Sequence, residues 1–274
     1  MSLNTGLQES ILVRESEPRS PSVLRSTAIF MWRTWHNTKN NAFGFAMDAV
    51  AAPVMMLLIF TFLFGGAIAG SVKEYVQFLL PGILVLTVVP MTVHSGAALC
   101  RDMTKGVYDR FRTMPFWQPS PVLGPLITDG LRYATALLVV LGAGLLLGFR
   151  PEGGVQGTVW ALLLLVLFAW SVSWIFMMIG TAAKRPETVS GTSMMALYPL
   201  LFASNILVDP STMPRWIRTL VQANPVSMAA AAARGLMEGT ASAAEIAAGL
   251  GVSLLLIAVF APITFYLYRN KKRR

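Results

Sequence analysis

Residues 158–179 read TVWALLLLVLFAWSVSWIFMMI, an unbroken run without a single ionisable side chain. An α-helix needs about 20 mainly apolar residues to cross the hydrocarbon core of a bilayer, so this stretch alone is long enough to span one. Comparable runs recur near 45–64, 76–99, 131–149, 189–207 and 247–268. Six such runs predict an all-α integral membrane protein of six transmembrane helices. The whole chain agrees: of its 274 residues 55% are hydrophobic and only 13% charged, too apolar for an ordinary soluble domain.

The runs carry irregularities that predict their shapes. Asp48 interrupts the start of the first, and Pro53, lacking an N–H, removes a helical hydrogen bond and is expected to kink it. The second holds Pro81-Gly82, Pro90 and His94 and should be bent or locally unwound. Gly144 and Gly148 in the third have the GxxxG spacing that lets another backbone approach. In the fourth, Trp160 near one end and Trp170 and Trp174 toward the other resemble interfacial anchors. The fifth begins Ser190-Gly191-Thr192-Ser193, is the least hydrophobic, and suits a protein-lined setting better than lipid.

Three segments lie outside these runs. Residues 1–21 mix charges and serines without an apolar core and read as a flexible cytosolic tail, with no cleavable signal peptide; residues 22–274 then form a single transmembrane domain. Ser22–Asn37 places Leu24, Ala28, Met31 and Trp35 on one helical stripe, which predicts an interfacial helix with Trp32 and Trp35 at headgroup depth. From Val208 to Glu245, the breaks at Pro210, Pro214 and Asn224-Pro225 predict two short helices, with Trp216 on the first and Arg234 on the second. They are too interrupted for a full crossing, so a re-entrant or surface-lying pair is expected.

Charge orients the chain. Sixteen Lys and Arg fall in the two termini and in the segments after the second and fourth runs, against five (Lys73, Arg150, Arg215, Arg218, Arg234) on the other side. The positive-inside rule therefore places both termini in the cytosol, across the plasma membrane of a bacterial cell. The net charge of +9 is read as this topology signal and not as a nucleic-acid surface. Cys100 stands alone, which excludes an intramolecular disulfide and a multi-cysteine metal site.

The chain lacks GxxxxGK[ST], HExxH and GxSxG, so phosphate-cradling, zinc-hydrolytic and acyl-transfer chemistry want their residues. No catalytic residue, metal ligand or bound cofactor is expected. The intramembrane ionisable candidates are Asp48, His94, Asp129 and Arg132, costly groups that call for partners or water. All four sit near run ends, within reach of headgroups, and Asp129 and Arg132 are spaced to pair on one helix face. After the second run, Met103, Val107, Phe111 and Met114 recur at helical spacing among Asp102, Lys105, Gly106, Asp109 and Arg110. This amphipathic stripe stops at Pro115 and fits either a socket on a partner or the bilayer surface.

Several stretches together resemble the ATP-binding-cassette type 2 export permeases, in particular their daunorubicin-resistance-like branch. They are Tyr75–Gly82 (YVQFLLPG), Asp102–Pro115 (DMTKGVYDRFRTMP), Phe202–Trp216 (FASNILVDPSTMPRW), then Asn224-Pro225 and Ala233-Arg234-Gly235-Leu236. The resemblance runs in order along nearly the whole chain. It implies a six-helix permease paired with a second identical or homologous permease, with separate ATPase subunits docked beneath and carrying the ATP and magnesium. It maps Asp102–Met114 onto the family's coupling helix, the amphipathic start onto its interfacial helix, and Ser211–Glu238 onto its short external re-entrant helices. Where many relatives have a glutamate-rich coupling stretch, this chain has Asp102 and Asp109 among basic residues.

The expected function is export of a hydrophobic or amphiphilic drug, natural product or lipid by alternating access, with no covalent step in this chain. The 15 Met and 15 Phe suit an adaptable apolar path as well as lipid-facing packing. The alternatives are a proton-coupled secondary transporter using Asp48, His94 or Asp129, and an intramembrane enzyme or assembly factor.

Overall fold

The computed structural model describes residues 22–69, 71–105, 114, 117–206 and 213–270. All regular structure among them is helical: α1 (Val23–Asn40), α2 (Ala42–Ala46), a π-helical turn (Met47–Ala51), α3 (Ala52–Ala69), α4 (Val72–Met91), α5 (Val93–Thr104), α6 (Ser120–Leu146), α7 (Gly154–Ala182), α8 (Pro186–Phe202), α9 (Arg215–Ala223), α10 (Pro225–Glu238) and α11 (Ala243–Asn270). Five stretches are long and apolar enough to cross a membrane: Ala42–Leu63, Lys73–Thr104, Ser120–Leu146, Gly154–Ala182 and Ala243–Asn270. The expected fifth crossing corresponds to α8, which at 17 residues is shorter than these five.

Helix α7 is the centre of the bundle, packed against α4, α5, α6, α8, α10 and α11. Burial grades outward from it. The apolar window of the second span is 78% buried, whereas those of the first and last are 22% and 17% buried, so these two form the periphery. The main core joins Leu79, Ile83 and Leu84 of α4 to Leu137 and Val140 of α6, Leu165 and Phe168 of α7, and Ala229, Ala230, Ala232 and Ala233 of α10. The alanine-rich run is thus an inner layer, where small side chains allow close helix approach, and not a helix lying on the surface.

Proline chemistry shapes the first two spans. Pro53 has no N–H for the carbonyl four residues back, and the chain answers with a π turn just before it, in which the Ala52 N–H reaches Met47 O. The second span breaks at Thr92, two residues after Pro90, where the Thr92 N–H and Oγ1 both donate to Val89 O. The bend expected there is therefore a specific turn dividing α4 from α5.

Two expectations, for Gly148 and for Trp174, need correction. Gly148 does not receive a neighbouring backbone: it takes φ +101° past the end of α6, with Phe149 N–H donating to Gly144 O and Gly148 N–H to Leu145 O, a Schellman cap. Gly144 instead accommodates the Leu80 side chain. The close backbone approach lies elsewhere, where Gly96 of α5 meets Phe176 O and Gly180 of α7 meets Gly96 O. Trp174 is no interfacial anchor, since it is buried against Leu99, Val122 and Tyr268, stacked edge-on to Trp170. On α1 the buried face is Ser26, Thr27 and Phe30, which packs on α6 at Gly124, while Leu24, Trp32 and Trp35 stay exposed and Met31 is half-buried.

Candidate functional site: a polar seam and a cleft between the spans

Among the described residues a polar seam runs through the apolar bundle. Asp129 of α6 is 3% exposed, so its charge is withdrawn from headgroups and must be met by protein. Arg132 Nη1 donates to Asp129 Oδ1 at 2.8 Å, and Ser95 Oγ donates to Oδ2 at 2.5 Å. Tyr133 OH lies 2.9 Å from Ser173 Oγ and 3.3 Å from Ser95 Oγ. Ser173 already donates to Ala169 O, so the single Tyr133 proton goes to Ser173. Asp129 thereby fastens α6 to α5, Tyr133 ties α6 to α7 through Ser173, and the Arg132 guanidinium also lies 5.2 Å from the Phe45 ring centre on α2. The Asp129–Arg132 pair is the one expected from spacing. Its enclosure, and the parts played by Ser95, Tyr133 and Ser173, were not. Their signal in the sequence was the position of hydroxyls inside apolar runs.

Next to this seam, the π turn projects Asp48 toward His94 of α5, with Asp48 Oδ2 at 3.3 Å from His94 Nε2. Both side chains remain about half exposed, at 57% and 47%, because they open onto a cleft of about 300 Å³. Met56, Ile83, Leu86, Pro90, Met194 and Tyr198 supply much of its wall. The four ionisable candidates therefore form two pairs, one sealed within the bundle and one facing a cleft.

A third ion pair ties α1 to the end of α5: Arg33 Nη2 donates to Asp102 Oδ1 at 2.7 Å. Thr128 Oγ1 adds a bond to Met31 O, so α1 is held against α6 as well. Of the remaining coupling candidates, Met103 packs beside the Leu99 and Trp174 cluster, Lys105 caps α5, and Met114 is exposed. Gly106, Val107, Asp109, Arg110 and Phe111 lie outside the described residues.

At the other end of the bundle, Asn224 does two jobs. Its Oδ1 caps α10 at Val226 N–H, with Pro225 at the first helical position, and its Nδ2 donates to Leu200 O and Ala203 O at the end of α8. Arg234 lies 4.2 Å from the Phe78 ring centre and donates to Asn205 O. Pro214 precedes α9, and Trp216 on it is exposed.

This arrangement of membrane helices, with a cleft walled largely by apolar side chains, can bind and move a molecule. The family model for the ABC-2 type transporter matches residues 25–237, from α1 through α10. The chain belongs to the ABC-2 type transporter family. It is 50% identical to the daunorubicin resistance ABC transporter permease protein DrrB1 of Streptomyces coeruleorubidus, over 97% of this chain and 94% of that one. Two Mycobacterium tuberculosis proteins are more distant. The doxorubicin resistance ABC transporter permease protein DrrB is 27% identical over 74% of this chain and 73% of its own. The probable doxorubicin resistance permease DrrC is 22% identical over 81% and 82%. As an ABC-2 permease the chain is the membrane component of an ABC exporter, a class that implies ATPase subunits as partners.

Proposed function

We propose that this ABC-2 permease exports amphiphilic, drug-like natural products across a bacterial plasma membrane, with ATP hydrolysed by separate subunits. The observation that carries the reading is the 50% identity, over 97% of the chain, to a permease named for daunorubicin resistance. The half-open cleft beside the π turn, walled by methionines and aliphatic side chains, supports it by offering an adaptable apolar surface. In this reading residues 22–274 form one transmembrane domain behind a cytosolic tail, and α8 supplies the sixth crossing. A second permease copy or homologue completes the path, and the exposed faces of the first and last spans meet it or lipid.

The exposed Leu24, Trp32 and Trp35 of α1 rest in the membrane interface. Asp102 to Met114 acts as the coupling element on the ATPases, and the Arg33–Asp102 pair makes α1 follow it. The α9–α10 pair is the external hairpin. ATP closure of the partner subunits then shifts the coupling elements, and the paired permeases alternate their access. Efflux tests the reading: cells carrying the chain and its ATPase should extrude a fluorescent anthracycline, and cells whose ATPase lacks its phosphate-binding lysine should not. Equal efflux from both would remove it.

Orientation has its own expected outcome. A single cysteine introduced at 210–216, in a Cys100→Ser background, should react with an impermeant maleimide on intact cells. One placed beside Lys184 should react only after permeabilisation. The reverse pattern would overturn the cytosolic placement of both termini.

A further inference from the structure

The charges around the cleft are unequal. Asp129 is met by Arg132 and Ser95, so the guanidinium is committed inside the seam. Asp48 faces the cleft, and among the described residues its ion-pair partner is His94, a group that carries charge only when protonated. With His94 neutral, the four groups sum to one excess negative charge, and it sits on the carboxylate that opens onto the cavity. A bare carboxylate at the edge of an apolar span is costly, and a cation that brings its own apolar body would offset that cost.

The rest of the wall states what kind of cation. Among the described residues no group of three or more His, Cys, Asp or Glu side chains converges as a metal site would, and Asp48 is the one carboxylate among the residues of this wall. A proton alone would leave about 300 Å³ of methionine, proline and aliphatic lining without a purpose. Tyr198 on α8 adds an aromatic face, the surface that favours ammonium groups. The π turn gives the site its geometry, because the extra residue before Pro53 rotates Asp48 to the side on which His94 and the cleft lie.

We propose that this cleft binds monovalent organic cations with an apolar body, the positive group against Asp48 and the body against Met56, Ile83, Leu86 and Met194. The site deepens the export reading, on which it rests only for the direction in which the ligand then moves. Binding itself does not require transport.

The test uses the full chain, purified and reconstituted in nanodiscs of zwitterionic lipid. Radiolabelled tetraphenylphosphonium is the probe, and tetraphenylborate, the same shape with opposite charge, is measured separately; empty discs give the lipid background. Wild type should bind the cation saturably and at least ~10-fold more tightly than the anion, because the ligand's apolar body would cover the Asp48 contact from water while the same carboxylate repels the borate. Asp48→Asn should lose ~10-fold or more in cation affinity, and Asp48→Glu should keep most of it. Met194→Trp, which fills the cleft and leaves the carboxylate in place, should also abolish binding, so the idea stays testable if Asp48→Asn fails to fold. Wild-type affinity in a correctly inserted Asp48→Asn or Met194→Trp protein would overturn the site. So would equal affinity for the borate, or no saturable cation binding by wild type. If cation binding depends on Asp48 while ATP-driven efflux is absent for every compound, the site stands and the export reading falls.

Discussion

Replacing Gly96 by leucine should prevent recovery of folded protein, because the α5–α7 crossing has no room for a side chain. A Cβ at Gly96 would overlap the Phe176 carbonyl, and one at Gly180 would overlap the Gly96 carbonyl. Both obstacles are backbone, so they cannot swing aside as a flexible side chain would. The helices would have to separate along a crossing that also aligns Ser95 with Asp129. Overpacking of this kind costs ~1–3 kcal/mol for a small increment and more when backbone must move. Gly96→Ala should therefore lower the melting temperature measurably, and Gly96→Leu should remove the monodisperse peak in size-exclusion chromatography. Gly142→Ala in α6, where nothing lies within 4 Å, is the control and should change stability by less than ~1 kcal/mol. Wild-type melting of Gly96→Leu would show that the crossing does not support the bundle.

The second large effect concerns the coupling stretch. Phe111→Asp should abolish copurification of the ATPase while leaving insertion intact, because it places a charge in a contact read from sequence as an apolar knob. Losing a central aromatic at an interface costs ~2 kcal/mol or more, and burying the new carboxylate adds to this. ATP-dependent efflux should fall with assembly. Gly106→Pro should leave every membrane-spanning run unchanged and yet uncouple hydrolysis from transport, since it removes a backbone donor within the same stretch. Both variants inserting, holding the ATPase and exporting at the wild-type rate would mean that Met103, Val107, Phe111 and Met114 contact lipid instead.

Much of the architecture was legible because crossing a bilayer is a demand on local sequence. Run length alone located the five long apolar stretches, and capping residues placed α10, where Asn224-Pro225 works as its type predicts. The end of the third span misled for an identifiable reason: Gly144 and Gly148 match a packing spacing, but the second is also the residue type required at a left-handed helix cap, and the cap prevails. Trp174 misled similarly, since indoles favour both interfaces and cores, and only the neighbouring Phe265 and Tyr268 of α11 decide between them.

The site was half legible. Spacing of three on one helix announced Asp129 with Arg132. The partners that give the seam its character come from distant runs, Ser95 being 34 residues from Asp129, and Tyr133 lying 40 from Ser173. No local pattern reports such a pairing. The same is true of Arg33 and Asp102, 69 residues apart, where two ordinary surface charges become a tie between α1 and α5 only through the fold. Asp48 and His94 were singled out as costly groups, but the cleft between them depends on the π turn before Pro53, where the sequence announced a kink and not its form.

The central claim is that this chain is the membrane half of an ATP-driven exporter. It is tested most directly by placing the purified chain and its ATPase in proteoliposomes with a fluorescent anthracycline outside, measured with and without a protonophore. Adding magnesium ATP outside should drive accumulation of the compound in vesicles whose ATPase faces the medium, and omitting either ATP or the ATPase should stop it. Accumulation that persists without the ATPase and follows an imposed proton gradient, and is abolished by the protonophore at undiminished ATP, would contradict the account and make the chain a secondary transporter.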